Sequence, residues 1–293
     1  MARIVFYLVT LVLHFYVIRS ANILGLFLYP GKSHHMVFGP FLKKLASRGH
    51  NVTVASFYPT KDPPPNYHDI SFEGIAELKV ESYDLSNIEN ESYLFKIPRL
   101  GRMVKRLSEF RILRSEAVKI CARLLNYKPL LDALQGNYDA VILENFTSDC
   151  MLGLLHVYEI RAPIIQMLSC SPMAWSAERI GFNDNPAYVP VLTSPFGTKM
   201  SFFDRVENTI FHILMKQWYY YDSQLKEKSL IEKKYGIIPD LHEIAKKSSL
   251  MLTNSYHTLS GAKPLVPGLI EVGGMHLSKE SKTLPQVLNT VSS

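Results

Sequence analysis

"NILGLFLYPGKSHHMVFGP", residues 22 to 40, passes from an apolar run through a glycine turn into a helical pattern, and the chemistry of that turn decides the fold. A phosphate loop, a nucleophile turn and a catalytic histidine can each occupy a strand-to-helix corner. A phosphate loop needs a glycine five residues before its Gly-Lys-Ser, so that backbone N–H groups wrap the phosphates. For Gly31-Lys32-Ser33 that position is Leu26, and Gly25 is one residue too far. A nucleophile elbow needs a small residue two places after the serine, where His35 stands, so Ser33 is a poor nucleophile. What remains is His34 and His35, either as a solvated polar cap on the helix or as a proton-transfer site.

Outward from this corner, short β-rich runs alternate with helical patterns. "NILGLFLYP" precedes a helix near residues 35 to 48 and "HNVTVASFY"; later come "YDAVILEN", a helix near 148 to 159, "APIIQMLS", a long helical region from about 203 to 235, "SLMLTNSY" and "LIEVGGM". Apolar, non-alternating strands separated by helices indicate a parallel sheet covered on both faces. The expected fold class is α/β, a doubly wound Rossmann-like sheet. "TKDPPPNYHD", residues 60 to 69, reads as a rigid polar loop because consecutive prolines cannot feed a helix. Residues 171 to 201, rich in Pro, Gly and aromatics, read as a long functional loop forming part of a binding wall.

With 293 residues, 47% hydrophobic and 20% charged, the chain can bury a sizeable core in one large domain or two small ones. Residues 1 to 20, basic at Arg3 and apolar from Ile4 to Ile18, suit a secretory signal cleaved after Ser20, with an uncleaved anchor as the lesser option. Removing Arg3 and Arg19 takes the net charge from +6 to +4, too mild to imply nucleic acid. Cys121, Cys150 and Cys170 lack metal spacing and are odd in number, so at most one pair forms, and Cys150 and Cys170 read as small core residues. The histidines give no metal spacing either. Sequons begin at Asn51, Asn90 and Asn145, of which Asn90 lies in the most polar surroundings. Residues 96 to 128 carry ten Lys/Arg against two Glu, with Met103, Val104, Leu107 and Phe110 at helical spacing. That pattern fits a helix lying on a membrane surface, or an amphipathic helix packed on the sheet.

In a sheet of order 3-2-1-4-5, ligands bind at the carboxyl ends of the first and fourth strands, where the winding reverses. The loop after the first strand holds His34 and His35; the end of "YDAVILEN" presents Glu144, followed by Asp149. A neutral imidazole can take a proton while a carboxylate on its other nitrogen fixes the tautomer. Glu144 could equally be a solvated strand end, and Asp149 an acid complementing a helix dipole.

"SHHMVFGPFLKKLASRGHNVTVAS" resembles the opening of the animal UDP-glycosyltransferases, the UDP-glucuronosyl- and UDP-glucosyltransferases, and most the insect type. "LMLTNSYHTLSGAKPLVPGLIEVGGMH" is similar to the end of that family's N-terminal domain, so the resemblance spans residues 22 to 277. It implies a GT-B enzyme whose N-terminal domain binds a lipophilic acceptor and supplies the base for an inverting transfer from a UDP-sugar. It places the family's Ser-His pair on Ser33-His34, making His34 the base with Ser33 and His35 beside the acceptor. It places the family's partner aspartate on Glu144, with Asp149 as the alternative. Aromatics of residues 171 to 201 and 211 to 221, including Trp175, Phe182, Trp218 and Tyr219, are expected to line the acceptor cleft above His34. No cofactor is implied beyond the co-substrate UDP-sugar. The implied setting is the endoplasmic reticulum lumen and the conjugation of small lipophilic alcohols or phenols, as in detoxification. The family continues into a donor domain, whereas this sequence ends at "SKESKTLPQVLNTVSS". Residues 278 to 293 therefore read as a truncated linker, and the chain as an acceptor half inactive alone, or else a non-catalytic lipophile-binding or interaction module that associates with full-length relatives.

Overall fold

The computed structural model describes residues 20–78 and 98–277. The expected signal segment before Ser20, Asn90 and the expected linker lie outside the described residues. Seven strands form one parallel sheet: β1 (Asn22–Leu26), β2 (Asn51–Ser56), β3 (Tyr67–Ser71), β4 (Ala140–Glu144), β5 (Ile164–Leu168), β6 (Leu250–Thr253) and β7 (Leu269–Glu271), in the spatial order β3-β2-β1-β4-β5-β6-β7. The helices are α1 (Lys32–Ser47), α2 (Pro98–Leu124), α3 (Lys128–Ala133), α4 (Cys150–Val157), α5 (Ala177–Ile180), α6 (Phe202–Tyr219), α7 (Leu225–Tyr235), α8 (Leu241–Ala245) and α9 (His257–Ser260), with one π-helical turn, Tyr220–Gln224, joining α6 to α7. This is the doubly wound α/β architecture expected.

Side chains on a strand alternate between faces, and here both faces are apolar. Leu24, Leu26, Val141 and Leu143 join one cluster with Ile120 and Leu124 of α2, Leu155 of α4 and Ile231 of α7. Ile23, Val52, Val54 and Ile142 point the other way and pack on Val37, Phe38 and Leu42 of α1. Burying each such α1 side chain contributes on the order of 1.5–3 kcal/mol. A third cluster joins Leu107 and Phe110 of α2 to Trp175, Phe182, Phe211 and Tyr219. The apolar stripe of the basic helix is therefore partly used inside the fold, although Val104 stays exposed.

Two close approaches need glycine. A Cβ on Gly25 would meet the Phe27 ring at 3.0 Å, so the ring packs close over the β1 backbone. A Cβ on Gly153 would meet Ile231 at 2.4 Å and Leu241 at 3.0 Å, so α4 lies tight against α7 and α8. The long helix starts at a capping box in which Ser201 and Asp204 exchange hydrogen bonds.

Three expectations need correction. Tyr67, His68 and Asp69 belong to β3 and not to the proline loop, which ends at Asn66; "YHDIS" is polar enough to escape an apolar-run search because it is an edge strand. Gly273 and Gly274 form a turn after β7 and not part of the closing strand. Cys121 of α2 and Cys150 of α4 are disulfide-bonded, with Cα atoms 5.8 Å apart, so Cys150 is not a free core thiol. No described helix is long and apolar enough to cross a membrane.

Replacing Cys121 and Cys150 together by alanine should cost about 3–4 kcal/mol, the loop-closure value for a crosslink of this span. Urea unfolding measures it, and an unchanged midpoint would contradict the pairing.

Candidate functional site

β1 and β4 are neighbours in the sheet centre, with Leu26 paired to Leu143. The chain leaves β1 through Phe27–Gly31 and enters α1 at Lys32, and the amides of His34 and His35 close the first turn on the Gly31 carbonyl. Glu144 ends β4. The two strand ends thus deliver His34 and Glu144 to one point, where His34 Nδ1 and Glu144 Oε1 are hydrogen-bonded. The His34 side chain is 14% exposed and that of Glu144 5%, so the imidazole reaches solvent while the carboxylate sits behind it. With Nδ1–H donating to the carboxylate, Nε2 is the nitrogen left to accept a proton.

Two rings hold the imidazole from the sides. Tyr29 lies 4.4 Å and Phe146 4.5 Å from its centroid, and they are 4.7 Å from each other. Neither was singled out in the sequence; their signal is position, each within three residues of the end of β1 or β4. Tyr29 also borders a cavity of about 520 Å3, walled by Leu28, Leu113, Ala117, Ile120 and Thr147 and edged by Glu77, Lys119 and Arg123. Among the described residues, the large cavity adjoining the His34 cage is thus lined by α2.

His35 points away from His34, as adjacent helical residues must, and its ring faces Tyr58 at 5.5 Å. Burial, with Lys43 nearby, pushes its pKa down to about 4, so it is neutral at pH 7. Ser33 is exposed on the first turn of α1. The other expected residues lie elsewhere. Asp149 is held by Arg179 at 2.7 and 2.8 Å and by the Gln224 amide at 2.7 Å, all buried. Burial opposes the Arg179 charge, but Asp149 and Tyr219 hold it above its ordinary range. The Asp149 carboxylate is therefore committed to that pair, and Glu144 alone of the two reaches His34. Glu227 accepts from the Asp149 amide at 2.9 Å and the Ser148 hydroxyl at 2.7 Å, capping α4 from another helix; burial pushes its carboxyl up to about 8, against the Ser148 hydrogen bond.

The aromatic wall also needs correction. Trp175 and Tyr219 stack on each other at 4.1 Å with planes 2° apart, and both are buried. Their faces cover one another, because large rings contribute most when fully packed. Phe182 packs in the same cluster and edges a small cavity beside Asp184 and His212. Trp218 carries the Arg114 guanidinium on its face at 4.9 Å. Cys170 keeps its thiol, pushed up to about 12 by burial. The Asn145 amide is buried and donates to Ser176 at 3.1 Å, so the folded chain offers no glycan site there. Asn51 is half-buried at the start of β2, its amide donating to Asn22 at 3.1 Å.

A family model described as "UDP-glucoronosyl and UDP-glucosyl transferase" matches residues 26–292. The chain belongs to this family. It is 32% identical over 269 residues to UDP-glucosyltransferase 2 of Dactylopius coccus, covering 91% of this chain and 50% of that protein. It is 35% identical over 289 residues to UDP-glycosyltransferase UGT5 of the same insect, covering 97% of this chain and 52% of the relative. UDP-glucuronosyltransferase 2B30 of Macaca fascicularis is 29% identical over 272 residues, covering 87% and 49%. This UDP-glycosyltransferase chain thus spans about half the length of the curated relatives it matches. Arabidopsis thaliana UGT89C1 complexed with UDP-L-rhamnose matches structurally at 12% identity and TM-score 0.41, over 93% of this chain and 54% of that one; at that level the likeness carries no argument.

Two outcomes separate the acids and the histidines. Asp149→Ala should destabilise by about 3–5 kcal/mol, since it strands a buried guanidinium, while Glu144→Gln should cost far less; equal losses in urea unfolding would refute the division. Between pH 6.5 and 4 the unfolded chain protonates His35 before the folded chain does, so stability is lost as the pH is lowered through that window and rises as the pH is raised. His35→Leu should flatten the slope there by about one proton's worth, and an unchanged slope would show that His35 is not held neutral.

Proposed function

We propose that this chain is the acceptor-binding, base-bearing part of a UDP-glycosyltransferase that passes a sugar to the hydroxyl of a small lipophilic acceptor with inversion. The observation that carries this reading is the His34–Glu144 pair in its aromatic cage beside the cavity of about 520 Å3. The acceptor's apolar body sits against Leu113, Ala117 and Ile120 of α2, held mainly by burial. Its hydroxyl donates to His34 Nε2. As the oxygen attacks the anomeric carbon, the proton passes to Nε2, the bond from that carbon to the UDP oxygen breaks, and UDP leaves with the electron pair. A single displacement inverts the anomeric centre. Glu144 stabilises the imidazolium formed and keeps Nδ1 protonated before it forms. The groups that hold the UDP-sugar are assigned to the part of the relatives' length that this chain does not span. The disulfide between Cys121 and Cys150, together with the apolar N-terminal run, supports the secretory pathway and the endoplasmic reticulum lumen.

In a protein carrying both halves, His34→Ala should lower turnover by about 10²–10⁴-fold, the contribution of a general base. Glu144→Gln should also lower turnover with little change in acceptor KM, and His35→Ala should leave most activity. Steady-state kinetics with a simple phenol reads all three. A harmless His34→Ala, or loss confined to His35→Ala, would overturn the assignment.

A further inference from the structure

Arg114, in the middle of α2, is 1% exposed. Its Nε, Nη1 and Nη2 are all buried without a hydrogen-bond partner among the described residues. The nearest carboxylate, Asp222, stands 3.9 Å away and is itself paired with Lys226 at 2.9 Å. The Trp218 ring occupies one face of the guanidinium at 4.9 Å, but a ring satisfies the face of the ion and leaves its in-plane N–H donors unfilled. Burial works against the charge, with Asp222 opposing that effect. A buried, under-paired guanidinium costs several kcal/mol, and a purely structural role gives no reason to retain it.

Arg114 is also among the residues lining a cavity of about 480 Å3 between α2, α6, the π-helical turn and α7. Arg111, Lys119 and Lys226 line it too, with Asp222 as its only acid among the described residues. Lys119 is neutralised in part by Glu116 at 2.8 Å. Four cations against those two acids leave an excess of about two positive charges, which matches a phosphate monoester at −1.5 to −2 better than a single carboxylate. Guanidinium forks and oxyanions also fit geometrically. This cavity lies on the other flank of α2 from the His34 side, the two sharing Lys119.

We propose that this cavity is a binding site for a phosphate monoester, with Arg114 supplying the buried donors and Arg111, Lys119 and Lys226 the rim. Two sources carry that group, a soluble phosphate and the headgroup of an anionic lipid. Leu214 and Tyr221 are exposed on α6 and the turn that follows and would be the apolar groups offered to acyl chains in the second case.

The test is thermal unfolding of the full chain in sodium phosphate against sodium chloride of equal ionic strength. Phosphate should raise Tm saturably. Arg114→Met should weaken that response at least about tenfold, the loss of one charge-assisted hydrogen bond, while its Tm without phosphate equals or exceeds that of the parent. Lys128→Met, a distant exposed change of equal charge, should keep the response. Should Arg114→Met fail to fold, the rim variant Arg111→Met/Lys226→Met gives the same reading. Vesicles of phosphatidic acid, but not phosphatidylcholine, should bind the parent and be displaced by phosphate if a lipid is the source; a phosphate response without vesicle binding assigns a soluble phosphate. The proposal is overturned if neither phosphate nor phosphatidic acid acts, if the variants respond like the parent, or if Arg114→Met lowers Tm with the phosphate response intact.

Discussion

The parallel pairing of β1 with β4 is the constraint on which the rest depends. Slipping either strand by one residue would turn Leu24, Leu26, Val141 and Leu143 from one core face to the other, so the register that pairs Leu26 with Leu143 is enforced from both sides of the sheet. From these two strand ends the chain departs in opposite directions, α1 covering one face and α4 the other. A crevice opens between them at the carboxyl edge, and the first side chains able to reach across it are His34 and Glu144. The meeting of His34 and Glu144 is thus a by-product of core packing. No separate device is needed to bring the pair together.

The second carboxylate shows why proximity in sequence misleads. Asp149 lies five residues beyond Glu144, yet it turns into a buried network with Arg179, Gln224 and, through its amide, Glu227. The π-helical turn contributes Gln224 and lets Ser223 donate to the Thr147 carbonyl at 2.9 Å. An extra residue per turn rotates both side chains inward, a use typical of π-turns near functional sites. The loop from Asn145 to Asp149 is pinned at Thr147 and Asp149 by these contacts and at Asn145 by the Ser176 hydroxyl, and Phe146, which walls the imidazole, rides on it. One acid, Asp149, is therefore spent on the buried network, and the other, Glu144, on holding the His34 imidazole.

Much of this was legible in the sequence because the relevant signals are local. The apolar runs of β1, β2, β4, β5 and β6, the exclusion of a phosphate loop at Gly31-Lys32-Ser33, and the placement of His34 and His35 near the end of the fourth strand all follow from spacing, whereas the choice of His34 over His35 rests on the family resemblance. What escaped was tertiary. β3 is polar, at the sheet edge; the Cys121–Cys150 bridge joins helices whose approach no spacing records. Trp175 and Phe182 of the long loop, and Trp218 and Tyr219 of the long helical region, suggest a binding wall because lipophilic acceptors are held mainly by burial, whereas Trp175 and Tyr219 spend their faces on each other and Trp218 on Arg114. Apolar α2 side chains line the cavity that Tyr29 of the His34 cage borders, since only the folded chain shows which flank of a long helix faces the strand ends.

The central claim is that His34 Nε2 is the atom that takes the acceptor's proton. Its most direct test is an experimental structure of this chain with a simple lipophilic phenol bound. The account predicts the phenol ring against Leu113 and Ala117 with its hydroxyl about 2.6–3.2 Å from His34 Nε2, the reach of a general base. A phenol bound in that cavity with its hydroxyl turned to another partner, and His34 left facing solvent, would contradict it.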